Sequence, residues 1–153
     1  MKIDVTNQEP QIAVATKKTA VSMEHIAEIS TKGLTKLMEY LAEQGKQIAG
    51  APYLAYMNAS EDWSQFDIEL GIPISETIPV QDEFYISRSC EGKAITTTYK
   101  GPYKDIEVAY IALMDYAKEN TLEPTGVYYD YYLNDPADTP ESELLTQVVF
   151  PIK

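Results

Sequence analysis

Apolar residues along this chain follow two rhythms. The first is helical. In SMEHIAEISTKGLTKLMEYLAEQG, residues Ile26, Ile29, Leu34, Leu37, Met38 and Leu41 recur at spacings of three and four, which predicts an amphipathic helix. Ser22 is the predicted N-cap, Glu24 lies in the first turn, and Gly45 is the predicted stop. In GPYKDIEVAYIALMDYAKEN the same spacing sets Ile106, Ala109, Tyr110, Leu113 and Ala117 on one face, with Pro102 in the first turn and Asn120 at the end. The second rhythm has period two, clearest in the alternation Phe66, Ile68, Leu70, Ile72. Strands are predicted around Ile12–Lys18, Tyr53–Asn58, Gln65–Pro73, Glu83–Ser87, Ala94–Lys100, Val127–Leu133 and Leu144–Pro151. Pro73 and Pro151 close two of them, where a missing ladder donor costs least.

The two helical segments carry the same local text. LMEY begins at Leu37 and LMDY at Leu113, an offset of 113 − 37 = 76. At that offset Gly50 falls on Gly126, Tyr53 on Tyr129, Tyr56 on Tyr132 and Asn58 on Asn134. GIPI and VFPI continue the match at 149 − 71 = 78, and ATKKT matches TTYKG at 97 − 15 = 82, so the first helix has about six extra residues (82 − 76). The chain therefore reads as one domain built from a duplicated strand-helix-strand-strand unit. Half one covers about residues 1–75 and half two about 83–153, joined through Ser75–Phe84. The expected class is α+β: an antiparallel sheet with helices on one side.

Charge narrows the functions. In 153 residues, 24 acidic side chains stand against 12 basic ones, a formal charge of −12. That balance disfavours nucleic acid, whose phosphates demand a basic face, and it disfavours an anionic membrane surface. It suits cationic partners. Cys90 and His25 are the only residues of their types, too few for an internal disulfide or a conventional zinc site, so Cys90 is expected to pack as a small apolar side chain. Asp135, Asp138, Glu141 and Glu143 do not have EF-hand spacing; a solvated turn built on Asn134 and Pro136 is expected there. No metal and no cofactor are expected. MKIDVTNQEP has no apolar signal region and no run reaches about 18 apolar residues, so the expected compartment is the cytoplasm.

One stretch holds candidate chemistry. GVYYDYYLNDP sets Asp130 among four tyrosines. Its twin, APYLAYMN, shares Tyr53/Tyr129 and Tyr56/Tyr132 but has Leu54 where the second copy has Asp130. An apolar residue in one copy implies a sheltered position in both, and a carboxylate there is costly without a partner. Alternation puts Tyr128, Asp130 and Tyr132 on one face, with Tyr129 and Tyr131 on the other. A carboxylate between phenol rings suits a lipophilic cation, held by charge and by cation–π attraction of about 0.5–2 kcal/mol per ring. The structural alternative is an Asp130 that reaches water or a tyrosine hydroxyl.

YKGPYKDI (Tyr99–Ile106), YLNDPADTPESELLTQVVFPI (Tyr132–Ile152) and DWSQFDIELGIPI (Asp62–Ile74) resemble the GyrI-like small-molecule-binding domain over essentially the whole chain. This is the effector-binding module of many AraC-type and MerR-type regulators, also found as a stand-alone protein. The resemblance implies a duplicated unit with a groove between its halves that takes bulky, often cationic or aromatic compounds. It also implies an acidic residue, most often Glu, two positions before the Tyr of YLNDP. Asp130 stands there, keeping the charge with one methylene less reach. Tyr128 and Tyr132 flank it, and Tyr56, Trp63 and Tyr110 complete the candidate ligand-binding set, with core packing the alternative for these last three.

No room for a DNA-binding domain is seen before residue 12, so the expected function is a stand-alone binder that sequesters or senses lipophilic cations. Two alternatives stay open. Some stand-alone members of the family hydrolyse cyclopropane-containing electrophiles, which would use Asp130 with Tyr132 or Tyr56. The family's namesake inhibits DNA gyrase, which leaves a protein partner, or a homodimer, in view.

Overall fold

The computed structural model describes residues 1–153. The strands are β1 (Ile3–Gln8), β2 (Ile12–Ser22), β3 (Tyr53–Met57), β4 (Gln65–Pro73), β5 (Tyr85–Arg88), β6 (Gly92–Lys100), β7 (Tyr128–Tyr132) and β8 (Leu145–Pro151). Helix α1 (Ile26–Glu43) follows β2 and helix α2 (Glu107–Glu119) follows β6. All eight strands join one antiparallel sheet in the order β1-β6-β8-β7-β3-β4-β2-β5. The class is α+β, as the two rhythms predict. No helix is long and apolar enough to cross a membrane.

Local chemistry sets the helix ends and faces. Gly45 takes φ +67°, the left-handed stop that glycine adopts without steric cost. Ser22 makes no capping bond; a 3-10 turn over Met23–His25 intervenes before α1. The inward face of α1 is Ile26, Ser30, Gly33, Leu37, Tyr40 and Leu41. Gly33 lets the helix close on the sheet, since a Cβ there would overlap Leu70 on β4. Met38, expected inside, is 45% exposed. The stripe turns instead toward Tyr40, whose hydroxyl donates to Pro79 O at 2.9 Å and whose ring packs on Phe84 at 4.5 Å. Met38, one residue past Leu37, is about 100° around the helix from it. Pro102 opens a second 3-10 turn, Tyr103–Asp105, before α2 buries Ala109, Leu113 and Ala117.

The sheet places the site. Strands β6-β8-β7 and β2-β4-β3 occur in the same order from opposite ends and meet at the β3·β7 pair. There, Tyr53 faces Tyr131, Leu54 faces Asp130, Ala55 faces Tyr129 and Tyr56 faces Tyr128. Leu54 and Asp130, matched in sequence by the 76-residue offset, are thus direct cross-strand neighbours and share a face. Leu54 packs in the α1 cluster with Leu37 and Leu41; Tyr128 packs in the α2 cluster with Leu113, Val148 and Phe150. Both helices therefore cover the Asp130 face. The leading strands are exchanged: β1 bonds only to β6 and β5 only to β2, so each opens one predicted half and pairs with the other.

The opposite face is also closed. Tyr53, Tyr131, Ala13, Ala55, Ala94, Val149 and Cys90 are buried there. Glu69 on β4 accepts hydrogen bonds from Tyr53 Oη at 2.9 Å, Tyr85 Oη at 2.6 Å and Ser87 Oγ at 3.1 Å. Cys90 N donates to Tyr131 Oη at 3.0 Å, and burial raises the Cys90 thiol to about 11, which suits a packed rather than reactive cysteine.

Asn134 fixes the entry to β8. Its Nδ2 donates to Glu143 O at 3.0 Å and its Oδ1 accepts from Leu145 N at 3.0 Å. Asn134→Ala removes both and is expected to lower the unfolding free energy by about 1–2 kcal/mol, read as a lower urea midpoint at unchanged slope.

Candidate functional site

Asp130 sits in the middle of β7 and is 3% exposed. Tyr110, on α2, donates from Oη to Asp130 Oδ1 at 2.5 Å. Burial drives the carboxyl up to about 7, and hydrogen bonding from Tyr110, then Tyr56, pulls it back only in part. The five ion pairs, Lys18–Glu83, Lys32–Glu28, Lys36–Glu83, Lys46–Glu76 and Lys153–Glu123, all lie elsewhere. Asp130 is a buried acid without a cationic partner. Burial first, and the charge of Asp130 second, push the hydroxyls of Tyr56, Tyr110 and Tyr132 well above the usual phenol range, so they remain protonated donors.

A continuous set of rings surrounds this acid. Tyr110 stands edge-on to Tyr56, centroids 6.3 Å apart, and to Phe150, 5.4 Å apart. Tyr128 packs on Phe150 at 4.6 Å, and Tyr56 meets Phe66 edge-on at 5.5 Å. Trp63 closes the outer end against Phe66 at 6.0 Å and Tyr128 at 6.2 Å. Tyr103 packs on Tyr132 at 5.5 Å. Such ring pairs contribute about 0.5–1.5 kcal/mol beyond the area they bury.

Each candidate residue has a definite place. Tyr110 donates to the carboxylate, Tyr56 packs edge-on to Tyr110, and Tyr128 and Tyr132 flank Asp130 on the same face of β7. Trp63 is 51% exposed, takes φ +61°, and lines a cleft of about 390 Å³ with Met57, Ala59, Gly126 and Tyr128. Asp130 does not line that cleft. Tyr128, its neighbour two residues away on the same face, does line it. Sequence reasoning missed Phe66, Phe150 and Tyr103. The two phenylalanines were legible as inward positions of alternating strands, and Tyr103 stands inside the YKGPYKDI segment. The Tyr103 hydroxyl is buried without a hydrogen-bond partner, a free polar atom beside Tyr132.

A sheet with two helices over one face, and a tyrosine-ringed acid beneath them, defines a class, and the class has a family. The model of the GyrI-like small molecule binding domain matches residues 1–153, and the chain belongs to that family. Among solved structures, the EcmrR–DNA complex matches with a TM-score of 0.85 at 16% identity, covering 99% of this chain and 57% of that one. The chain thus spans little over half of that regulator's length. The EcmrR C-terminal domain alone matches with a TM-score of 0.80 at 16% identity over 99% and 97% of the two chains. A hydrolase from Listeria innocua matches with a TM-score of 0.73 at 10% identity over 99% and 92%. SAV2435 bound to tetraphenylphosphonium matches with a TM-score of 0.66 at 11% identity over 100% and 99%. At these identities the likeness is one of fold. No curated protein sequence matches the chain.

Proposed function

We propose that this small-molecule-binding domain takes lipophilic aromatic cations, with Asp130 supplying the charge and Tyr56, Trp63, Tyr110, Tyr128 and Tyr132 the aromatic walls. The observation that carries the reading is the buried Asp130 carboxylate, ringed by aromatics and unpaired with any cation. An isolated buried anion is costly, and an entering cation offsets that cost while cation–π contacts add to it. The fold neighbour SAV2435, bound to tetraphenylphosphonium, is a consistent parallel. Because the rings pack on one another around Asp130, entry requires them to part. Half-exposed Trp63, tilted against Tyr128, is the outermost wall.

Trp63 is the only tryptophan, so its fluorescence reports on the site without a label. Titration with tetraphenylphosphonium is expected to quench it, while the neutral analogue triphenylphosphine oxide binds at least about tenfold more weakly. Asp130→Asn is expected to weaken cation binding by about 10- to 100-fold and to leave the neutral compound unaffected; Asp130→Glu restores cation selectivity. Affinity for the cation should rise with pH through about 7, as Asp130 ionises. Equal affinity for the two compounds, or a cation affinity indifferent to Asp130→Asn, overturns the proposal.

A hydrolytic reading draws on the same carboxyl, since an acid brought near pH 7 suits proton transfer at neutral pH. Its tyrosine partner would be Tyr110, the residue bonded to Asp130, rather than Tyr132. Turnover of a cyclopropane electrophile that Tyr110→Phe abolishes and Tyr132→Phe spares would favour catalysis over binding alone.

A further inference from the structure

Beside Tyr132 lie two buried polar atoms with no hydrogen-bond partner, Thr146 Oγ1 and Tyr103 Oη. Thr146 is on β8 and wholly buried. It faces Tyr132 across the β7·β8 pair, just as Val148 faces Asp130, so it stands on the Asp130 face of the sheet. Tyr103 belongs to the turn before α2, and its ring packs on Tyr132 at 5.5 Å. Burial, then the charges of Asp135 and Asp130, raise the Tyr103 hydroxyl above the usual phenol range, so it remains a protonated donor.

A buried hydroxyl without a partner costs stability, and folding does not demand one at this place. The offset that matches GIPI to VFPI sets Thr146 on Ile68, since 146 − 68 = 78. The structure gives the two residues the same setting: Ile68 faces Tyr56 across β3·β4 as Thr146 faces Tyr132 across β7·β8. Ile68 is wholly buried and packs in the α1 cluster. One half thus fills the position with an apolar side chain and the other with an unpaired hydroxyl. Leu54 and Asp130 make the same contrast, on the neighbouring strand pair. The two other unpartnered hydroxyls, Thr16 Oγ1 and Ser30 Oγ, are on β2 and α1, in the first half.

These residues give the site a direction along β7. Trp63 lies against Tyr128 at one end, Asp130 is in the middle, and Tyr132 with its two free hydroxyls is at the other. Same-face residues on a strand are about 7 Å apart, a distance that one substituted phenyl ring spans. Both hydroxyls can donate, and a carbonyl oxygen has two lone pairs to receive them. We infer that the ligand is an aromatic cation carrying a hydrogen-bond-accepting oxygen, such as a carbonyl, about one ring away from its charge, with Tyr103 and Thr146 donating to that oxygen while Asp130 holds the charge. This rests on the cation reading of Asp130 and adds the residues that choose among cations. Tetraphenylphosphonium, all hydrocarbon around its charge, leaves both hydroxyls unpaired; a site built to bond a polar group selects against analogues that lack it.

Isothermal titration calorimetry with tetraphenylphosphonium and (4-acetylphenyl)triphenylphosphonium tests the inference, because the second cation adds a carbonyl one ring from the same charge. The acetyl cation is expected to bind the wild type about tenfold more tightly than tetraphenylphosphonium. Tyr103→Phe and Thr146→Val should each cut that preference by about threefold, and the double variant should abolish it, with tetraphenylphosphonium affinity unchanged. Asp130→Asn should weaken both cations alike and leave their ratio intact. Each hydroxyl removed is unpaired in the free protein, so the urea midpoints of the Phe and Val variants should hold or rise. A fall in midpoint would mark the hydroxyl as a structural bond and overturn the inference. Equal affinity of the wild type for the two cations, or a preference that survives the double substitution, overturns it too and leaves the cation reading standing. Affinities for both cations that are indifferent to Asp130→Asn bring down the cation reading, and this inference with it.

Discussion

Between about pH 5 and about pH 8 the chain is expected to lose about 3 kcal/mol of unfolding free energy that the Asp130→Asn variant retains. The carboxyl stands at about 7 in the folded protein because burial opposes its charge, against about 3.9 in an unfolded chain. The folded state therefore binds a proton more readily than the unfolded state does. The contribution to stability is full below the unfolded value and is lost as pH rises through about 7. The full shift corresponds to about 4 kcal/mol, and most of it falls inside the window named. Asn keeps an acceptor for the Tyr110 hydroxyl but cannot ionise, so its profile lacks the slope. Exposed carboxylates held low by partners, such as Asp67 by Ala20 N–H and Glu76 by Lys46, act with the opposite sign at lower pH and cancel between the two proteins. Urea unfolding at the two pH values checks the result; parallel profiles for the two proteins would mean that the buried charge is not where the strain lies. A bound cation should relieve the same penalty, so tetraphenylphosphonium should stabilise the wild type more at pH 8 than at pH 5.

Much of the fold was legible because its signals are local. Both helices and seven of the strands announce themselves by period, as Leu113 and Ala117 on α2 or Ile68 and Leu70 on β4 illustrate. Asp130 was legible for a different reason: Leu54 served as its comparison, and the structure makes the two direct neighbours across the β3·β7 pair. β1 was not legible. IDVTNQ is largely polar and pairs on one side only, so its burial leaves no alternation to read. Nor was the Tyr110–Asp130 bond, which spans 20 residues and depends on how α2 docks, although the helical face did place Tyr110 inward. Glu69 shows the limit most plainly. Alternation put it on the face away from the helices, which reads as solvent. That face is roofed by Tyr53, Tyr85 and Ser87, drawn from two other strands. Period tells which way a side chain turns, not what waits there.

That roof makes Gly71→Val a severe substitution. Gly71 on β4 pairs with Tyr53 on β3, and a Cβ at position 71 would clash with the hydroxyl end of the Tyr53 ring. The ring has nowhere to go. Tyr53 is fully buried, its hydroxyl is tied to Glu69, and the rings of Tyr129 and Tyr131 stand 5.8 and 5.7 Å away. Overpacking costs about 1–3 kcal/mol, and dislodging the Tyr53 hydroxyl from the Glu69 carboxylate about 1.5–3 kcal/mol more. Valine's preference for strands returns at most about 1 kcal/mol. The expected net loss is about 3 kcal/mol, a large share of a typical domain's stability. In a Tyr53→Ala background, which opens the space, the same substitution should be nearly neutral, so a double-mutant cycle isolates the clash. The consequence reaches the other face, because Tyr53 and Tyr56 share β3, and the Tyr56 ring packs edge-on to Tyr110, which donates to the Asp130 carboxylate. If Tyr53 yields by moving its strand, Gly71→Val should also weaken cation binding by severalfold under conditions where it remains folded. Undiminished binding would place the adjustment in β4 alone, and an unchanged urea midpoint would mean that the ring over Gly71 is not packed as described.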